Sequence, residues 1–168
     1  MGPHIYQPAK ATRDVLDSLR RIVQLLRESS RRAEKYAGVS GAQLFVLEKL
    51  AESPGLSLNE LAGRTHTHQS SVSTVVTRLV EGGFVRRSQA AADGRRVELT
   101  LTPRGRRLIA RAPGAAQERL IRSIEQLPHA SRQRLAATLG EVVQRMDGRR
   151  RRATMFFDEG RRSGARRA

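Results

Sequence analysis

The sequence contains no cysteine, and this absence excludes disulfides, thiol redox sensing and zinc sites built from cysteine. It has no apolar run near the ~20 residues that a membrane span needs. Its N-terminus has no secretory segment, so we expect a cytoplasmic protein with no membrane partner. Catalytic signatures are missing as well: there is no nucleophile elbow, no phosphate-cradling glycine loop and no interpretable carboxylate pair. The sequence therefore predicts neither an enzyme nor a cofactor.

The chain has four histidines, at positions 4, 66, 68 and 129. The close spacing of His66 and His68 raises the idea of a zinc site. Without cysteine or a nearby second pair of ligands, however, we predict no metal site here. The alternative for His68 is a place near a phosphate, where partial protonation would make binding depend on pH.

Acidic residues are scarce: 16 Asp and Glu oppose 32 Lys and Arg, so the formal net charge is +16. Lysine occurs only at positions 10, 35 and 49, and arginine supplies the rest. Such an excess indicates an acidic partner, most commonly nucleic acid. A GC-rich genome also enriches arginine, so charge alone does not identify the partner. The length of 168 residues suits one compact domain with extensions.

The stretch from Leu56 to Leu101 predicts a short helix, a turn, a second helix and a hairpin. The second helix begins near Thr67 and His68 and carries an apolar face at 3-and-4 spacing, formed by Val72, Val75, Val76, Leu79 and Val80. Its opposite face has no acid before Glu81, although a solvated helix normally carries Glu and Lys there. Short polar groups suit a surface that lies against bases and phosphates.

A hairpin is predicted directly after this helix. Gly82 and Gly83 end the helix, and Phe84 and Val85 begin a strand. The run from Ala90 to Gly94 is typical of a turn, and the alternation from Val97 to Leu101 is typical of a returning strand. Together these elements predict a winged helix-turn-helix.

The motifs resemble those of the MarR family of multiple-antibiotic-resistance regulators. The wing and its exit match in Asp93–Gly105 (DGRRVELTLTPRG). Upstream, Leu58–Ala62 (LNELA), Val72–Leu79 (VSTVVTRL) and Gly83–Val85 (GFV) are similar to the family's helix-turn-helix. The resemblance covers about the middle half of the chain. It implies a mainly α fold with a small β-hairpin wing, and a sequence-specific transcription regulator, most often a repressor.

Amphipathic helices flank the winged motif. Ser40 caps a second helix after the long first one, and Thr102-Pro103 begins a helix to about Glu125 with a bend or break at Pro113-Gly114. We expect residues 11–37 and 106–148 to hold dimerisation helices around a winged part at about residues 40–105. Their apolar stripes exceed what one small core covers, which favours a two-fold homodimer; the alternative is a monomer whose helices fold back. The expected interface residues are Leu16, Leu19, Val23, Leu135, Leu139, Val142, Val143 and Met146.

Residues on the second helix and the wing are the candidate contacts to double-stranded DNA. Gln and Arg side chains pair with base edges, hydroxyls mainly hold phosphates, and Arg95 is expected in the minor groove. We expect Asp93 to orient an arginine. The alternatives are an ordinary solvated helix and a wing arginine without contacts. The full set is His68, Gln69, Ser70, Ser71, Ser73, Thr74, Thr77, Arg78, Arg86, Asp93, Arg95 and Arg96.

The resemblance also implies a small aromatic or phenolic effector, bound between the dimer helices and the winged lobe. By analogy, Tyr36, Phe45 and the arginines Arg20 or Arg21 are expected to meet an aromatic anion. The alternative is that Tyr36 and Phe45 belong to the core.

The two ends of the chain differ from the domain of residues 11–148. Residues 1–10 are expected to be a flexible arm, and residues 149–168 an arginine-rich tail interrupted by Met155, Phe156 and Phe157. The tail either adds sequence-independent attraction to DNA or is a frayed end. The expected protein is a bacterial or archaeal, nucleoid-associated regulator on a pseudo-palindromic operator; the alternative is an architectural protein that coats nucleic acid without choosing sequence.

Overall fold

The computed structural model describes residues 10–89, 96–112, 114–147 and 154–157. These residues are mainly helical, with one two-stranded antiparallel sheet, as the sequence predicts. The elements in chain order are α1 (Lys10–Ala37), α2 (Gly41–Glu52), α3 (Leu58–Arg64), α4 (Gln69–Glu81), β1 (Val85–Gln89), β2 (Val97–Leu101), α5 (Pro103–Ile109), α6 (Ala116–Glu125) and α7 (His129–Asp147).

Helix α2 lies at the centre of the core. Leu44, Phe45, Leu47 and Leu50 are fully buried, and α2 packs against α1, α3, α4, α5, α6 and β2. A helix that contacts neighbours on most sides is apolar on most sides, which explains why α2 shows little amphipathic periodicity. This core holds α4 and the hairpin in fixed positions.

Capping side chains set where three helices begin. Ser40 and Ser57 each form a capping box, with Gln43 and Glu60 as the reciprocal partners. Thr102 caps α5, where its hydroxyl accepts a hydrogen bond of 3.1 Å from the Gly105 amide. The predicted caps at Ser40 and Thr102 are therefore confirmed.

The hairpin pairs Val85 with Leu101 and Gln89 with Val97. Gly83 has a φ of 69°, the left-handed conformation in which glycine carries no Cβ penalty, so the chain turns directly from α4 into β1. At Gly105 a Cβ would overlap the Phe84 carbonyl oxygen. Glycine there lets α5 pack closely against the base of the wing.

The segment from Pro103 to Glu125 forms two helices rather than one. Of the bend or break that the sequence predicts at Pro113-Gly114, the break is what the structure has. Helix α5 ends at Ile109 and α6 begins at Ala116. A proline ring has no amide proton and clashes with the preceding turn, which stops a helix; Pro113 itself lies outside the described residues. The consequence is that α6 has its own N-terminus, which packs against α1 and α2.

The first and last helices leave much of their apolar surface uncovered. In α7 no residue is buried, and Leu135, Leu139 and Val143 are 38%, 40% and 58% exposed. On α1, Leu16 and Val23 are 42% and 41% exposed. Within the described ranges, none of these helices combines the length and the apolar character that crossing a bilayer demands.

Candidate DNA-binding surface

The N-terminus of α4 has no side-chain cap. His68 is the N-cap residue and makes no capping hydrogen bond. The Thr67 hydroxyl, one residue earlier, donates instead to the Thr65 carbonyl oxygen at 2.9 Å. The first amides of α4 are therefore not capped by a side chain, and a helix N-terminus in this state favours an anion.

Helix α4 is divided cleanly between buried and exposed faces. Val72, Val75, Val76 and Leu79 have no exposed surface, as predicted, and Val80 is partly buried against them. The polar residues lie on the other side: His68, Gln69, Ser70, Thr74 and Thr77 are exposed, and Ser71, Ser73 and Arg78 are half-buried. The buried half attaches α4 to the core, and the exposed half presents amide, hydroxyl and guanidinium groups together.

The first strand of the wing is attached to α4. Arg87 donates from Nη2 to the Thr77 hydroxyl at 3.2 Å, and Arg86 donates from Nε to the Thr100 hydroxyl at 2.9 Å across the hairpin. Both arginines are exposed. Arg87 was not among the predicted contacts, although its position directly beside Arg86, just after the helix, was a usable signal.

The second strand of the wing is attached to α3. Arg96 donates from Nη2 to Oε2 of Glu60 at 2.8 Å and to Oε1 at 3.1 Å. Two main-chain hydrogen bonds reinforce this link: the Leu99 amide donates to the Leu56 carbonyl oxygen at 2.9 Å, and the Gly55 amide donates to the Leu99 carbonyl oxygen at 3.1 Å. Arg96 thus positions the wing as well as adding positive charge. Asp93 and Arg95 lie outside the described residues, so their predicted roles stay predictions.

The turn between α3 and α4 contacts α6. His66 adopts a φ of 50°, and its Nε2 lies 3.3 Å from Oε1 of Glu125. Among the described residues, no three metal-ligating side chains lie close enough to share an ion. The turn before α4 is therefore in direct contact with a helix outside the winged core, through the side chains of His66 and Glu125.

A second polar feature is a cleft of about 300 Å³ between the end of α1 and α5. Its lining includes Tyr36, Phe84, Arg104, Arg107 and Arg111. The Arg104 guanidinium stacks over the Phe84 ring at 4.6 Å from the centroid. The arrangement combines aromatic surface with three cations, a chemistry suited to a planar anion.

The effector residues expected from the sequence do not all reach this cleft. Tyr36 lines it and is 70% exposed. Phe45 is fully buried in the core, so its expected contact with an effector is wrong and the core alternative holds. Arg20 and Arg21 are exposed on α1, and Arg20 pairs with Asp17 at 2.7 Å; neither lines this cleft.

Comparison with known proteins decides the family. A model of the MarR family matches residues 39–97. The HTH-type transcriptional repressor Rv2887 of Mycobacterium tuberculosis is 35% identical over 94 residues, which cover 56% of this chain and 68% of that protein. The chain belongs to the MarR family. A second relative, the HTH-type transcriptional repressor MdtR of Bacillus subtilis, is 30% identical over 55% of this chain and 59% of its own length.

Solved structures support the same fold. Sco3205, a MarR family transcriptional regulator from Streptomyces coelicolor solved in complex with DNA, matches with a TM-score of 0.55 and 24% identity, over 87% of this chain and 94% of its own. The regulator BldR of Sulfolobus solfataricus matches with a TM-score of 0.52 and 23% identity, over 83% and 99% of the two chains. These matches extend the likeness beyond the winged motif to the flanking helices.

Proposed function

We propose that this MarR family member is a homodimeric, sequence-specific regulator of transcription that binds double-stranded DNA and acts as a repressor. The observation that carries the proposal is the exposed face of α4, where Gln69, Ser70 and Thr74 surround a helix start without a side-chain cap. Amide and hydroxyl groups at this place suit base edges and phosphates in a major groove. We also propose that the protein is cytoplasmic and is not an enzyme.

The relatives support the repressor role. Rv2887 and MdtR are both named transcriptional repressors, and the Sco3205 structure contains DNA. For this chain we add the predicted wing contact of Arg95 in the minor groove. Residues 149–168 would supply sequence-independent attraction through their arginines.

The dimer proposal rests on the uncovered apolar surfaces of α1 and α7. Leu139 and Val142 on α7 are 40% and 44% exposed, and Leu19 on α1 is 37% exposed. A two-fold partner covers both surfaces through one self-complementary interface and presents two α4 helices to adjacent grooves. In this organisation residues 11–148 are one domain that contains the winged part.

For an effector, we propose the cleft lined by Tyr36, Phe84 and the arginines of α5 and of the turn that follows it. A small aromatic or phenolic anion would stack on the rings while Arg107 and Arg111 neutralise its charge. The cleft joins the end of α1 to α5, so a ligand there bridges the dimerisation helix and the base of the wing. Titration calorimetry with salicylate as the probe should show binding to the natural chain and weaker binding to Arg107→Ala. The control variant Arg134→Ala, on the exposed helix α7, should bind salicylate as the natural chain does. Equal salicylate affinity of the two variants would contradict the proposed effector site.

The function is tested by selecting genomic fragments that the purified protein retains, followed by footprinting. A regulator should protect a pseudo-palindrome with half-sites about one helical turn apart. Replacing the arginines among residues 149–168 by glutamine, with Met155 kept in place, separates this function from the architectural alternative, which the net charge of +16 favours. A coating protein should lose most of its binding, whereas a regulator should keep its preference for the operator over random DNA.

A further inference from the structure

A large groove of about 1140 Å³ lies between α1, α6, α7 and the turn before α4. Its floor is apolar, with Leu19, Val23, Ile121 and Leu135 among its lining residues. Leu19, Val23 and Leu135 belong to the dimer interface proposed above, so only the end of the groove at Met155 remains for another occupant. At one end it reaches His66 and His68, next to the start of α4. It is separate from the arginine cleft, which is lined by other residues.

A short segment from beyond α7 lines part of this groove. Met155 is only 3% exposed and belongs to the main core cluster, although it follows the last helix. Phe156 lines both the large groove and a smaller neighbouring cavity. In contrast, Met146 on α7 is 82% exposed. Burial of a methionine within an arginine-rich stretch is the opposite of what the composition of that stretch leads one to expect.

The segment covers the junction where α6 meets α1 and α2. Helix α6 has no cap of its own. Instead, the Ala116 amide donates to Ser29 Oγ at 3.0 Å, and the Ala115 amide donates to Glu48 Oε1 at 2.8 Å. Ala115 and Ala116 also line the small cavity with Phe156. Excluding water from such a junction strengthens its hydrogen bonds.

We propose that Thr154–Phe157 is a tethered ligand of one end of this groove, where the Met155 side chain fills the apolar site at the α1–α6 junction. Methionine is unbranched and polarisable, so it fits an irregular apolar site. Because the segment is part of the chain, its effective concentration is high, and an external apolar molecule takes the site only by displacing it. The proposal does not depend on DNA recognition.

Methionine oxidation in the full-length protein tests this directly. Dilute hydrogen peroxide converts the Met155 thioether to the sulfoxide, with water as the other product, and peptide mass spectrometry follows each methionine. In the folded protein Met155 should oxidise at least about tenfold more slowly than in the same protein in urea, because a buried thioether is inaccessible. Equal rates in the two states would overturn the proposal.

Dilution shows whether the segment that covers the site belongs to the same chain or to a partner chain. If the segment binds its own chain, protection of Met155 stays constant as the protein is diluted through the range in which any dimer dissociates. Protection that falls with dilution would mean that a partner's segment or helix covers the site, and would overturn the intramolecular proposal.

A matched pair of variants tests the groove itself. Met155→Ser should raise the fluorescence of 1-anilinonaphthalene-8-sulfonate by about threefold or more, since the probe binds exposed apolar surface, whereas Met155→Leu should leave it unchanged. Circular dichroism checks that both variants fold; if Met155→Ser does not, the oxidation rates of the natural chain still decide. Identical probe binding by the two folded variants would contradict the proposal.

Discussion

Arg96 Nη2 lies 2.8 Å from Glu60 Oε2, so the wing is joined to the first helix of the helix-turn-helix. Glu60 is itself held by Ser57, whose amide donates to the same oxygen at 2.7 Å. The hydrogen bonds from Ser57, and then the charge of Arg96, lower the pKa of the Glu60 carboxyl. One carboxylate thus caps α3 and positions the wing.

This link predicts coupled effects on DNA binding. Arg96→Ala and Glu60→Gln should each weaken operator binding about fivefold, and the double variant should be little worse than either, since contacting residues are not additive. Fluorescence anisotropy of a labelled operator gives the three affinities. Independent, multiplying losses would mean that Arg96 acts on DNA without help from Glu60.

Gln69, in the first turn of α4, should affect base discrimination. Replacing it by Ala should cost about 1 to 3 kcal/mol at one operator position and relax the preference there, because an amide pairs with a base edge. Gln133→Ala, on exposed α7, is the control. Competition with operators mutated position by position measures the change; a uniform loss across all sequences would assign Gln69 to phosphate contact only.

Two glycines should respond to alanine in opposite directions. Gly105→Ala should destabilise the protein by about 1 to 3 kcal/mol, because its Cβ would overlap the Phe84 carbonyl oxygen. Gly63→Ala, in α3 with no atom within 4 Å of the added Cβ, should stabilise by about 0.5 to 1 kcal/mol. Urea unfolding compares both with the natural chain. Equal effects would contradict the packing at the wing base.

Local signals made much of the fold predictable. Periodicity located α1, α4 and α7, and side-chain caps located the starts of α2 and α5. The wing strands followed from alternation and from the glycines after α4. These features depend on neighbouring residues in the chain, which a single sequence displays.

Contacts between residues far apart in the chain could not be predicted from the sequence. Nothing local shows that Phe45 is fully buried, that Arg96 reaches Glu60, or that Met155 belongs to the core cluster. The arginine cleft escaped notice for the same reason, since Tyr36 and Arg107 are far apart in the chain. Such pairings depend on how the helices pack, and an apolar or charged residue fits many packings equally well.

A partly buried ionic cluster joins α2 to α6. Lys49 Nζ lies 2.6 Å from Glu118 Oε2, and Lys49 also pairs with Glu52 at 3.0 Å. Burial alone raises the pKa of Glu118, but hydrogen bonds from Lys49 and Arg122 outweigh burial and lower it. For Glu48 the net result is a raised pKa, chiefly because of burial.

The two carboxyls predict opposite pH effects on stability. A carboxyl whose pKa is lowered in the folded state stabilises the protein at pH values above the ordinary glutamate pKa. This stabilisation disappears as pH falls through the folded-state pKa, so Glu118→Gln should make stability fall less steeply on acidification. A raised pKa adds stability at low pH that disappears as pH rises, so Glu48→Gln should make the decline on acidification steeper. Urea unfolding from pH 3 to 7 checks both. Parallel curves for the three proteins would contradict the assigned pKa directions.

In the proposed function, two copies of the chain present two α4 helices to one DNA site. Sedimentation velocity of the protein with an operator from the genomic selection, against a scrambled duplex of equal length at about 150 mM salt, tests it most directly. We expect two chains per operator and an affinity at least about a thousandfold above that for the scrambled duplex. A monomeric protein that binds both duplexes equally would contradict it.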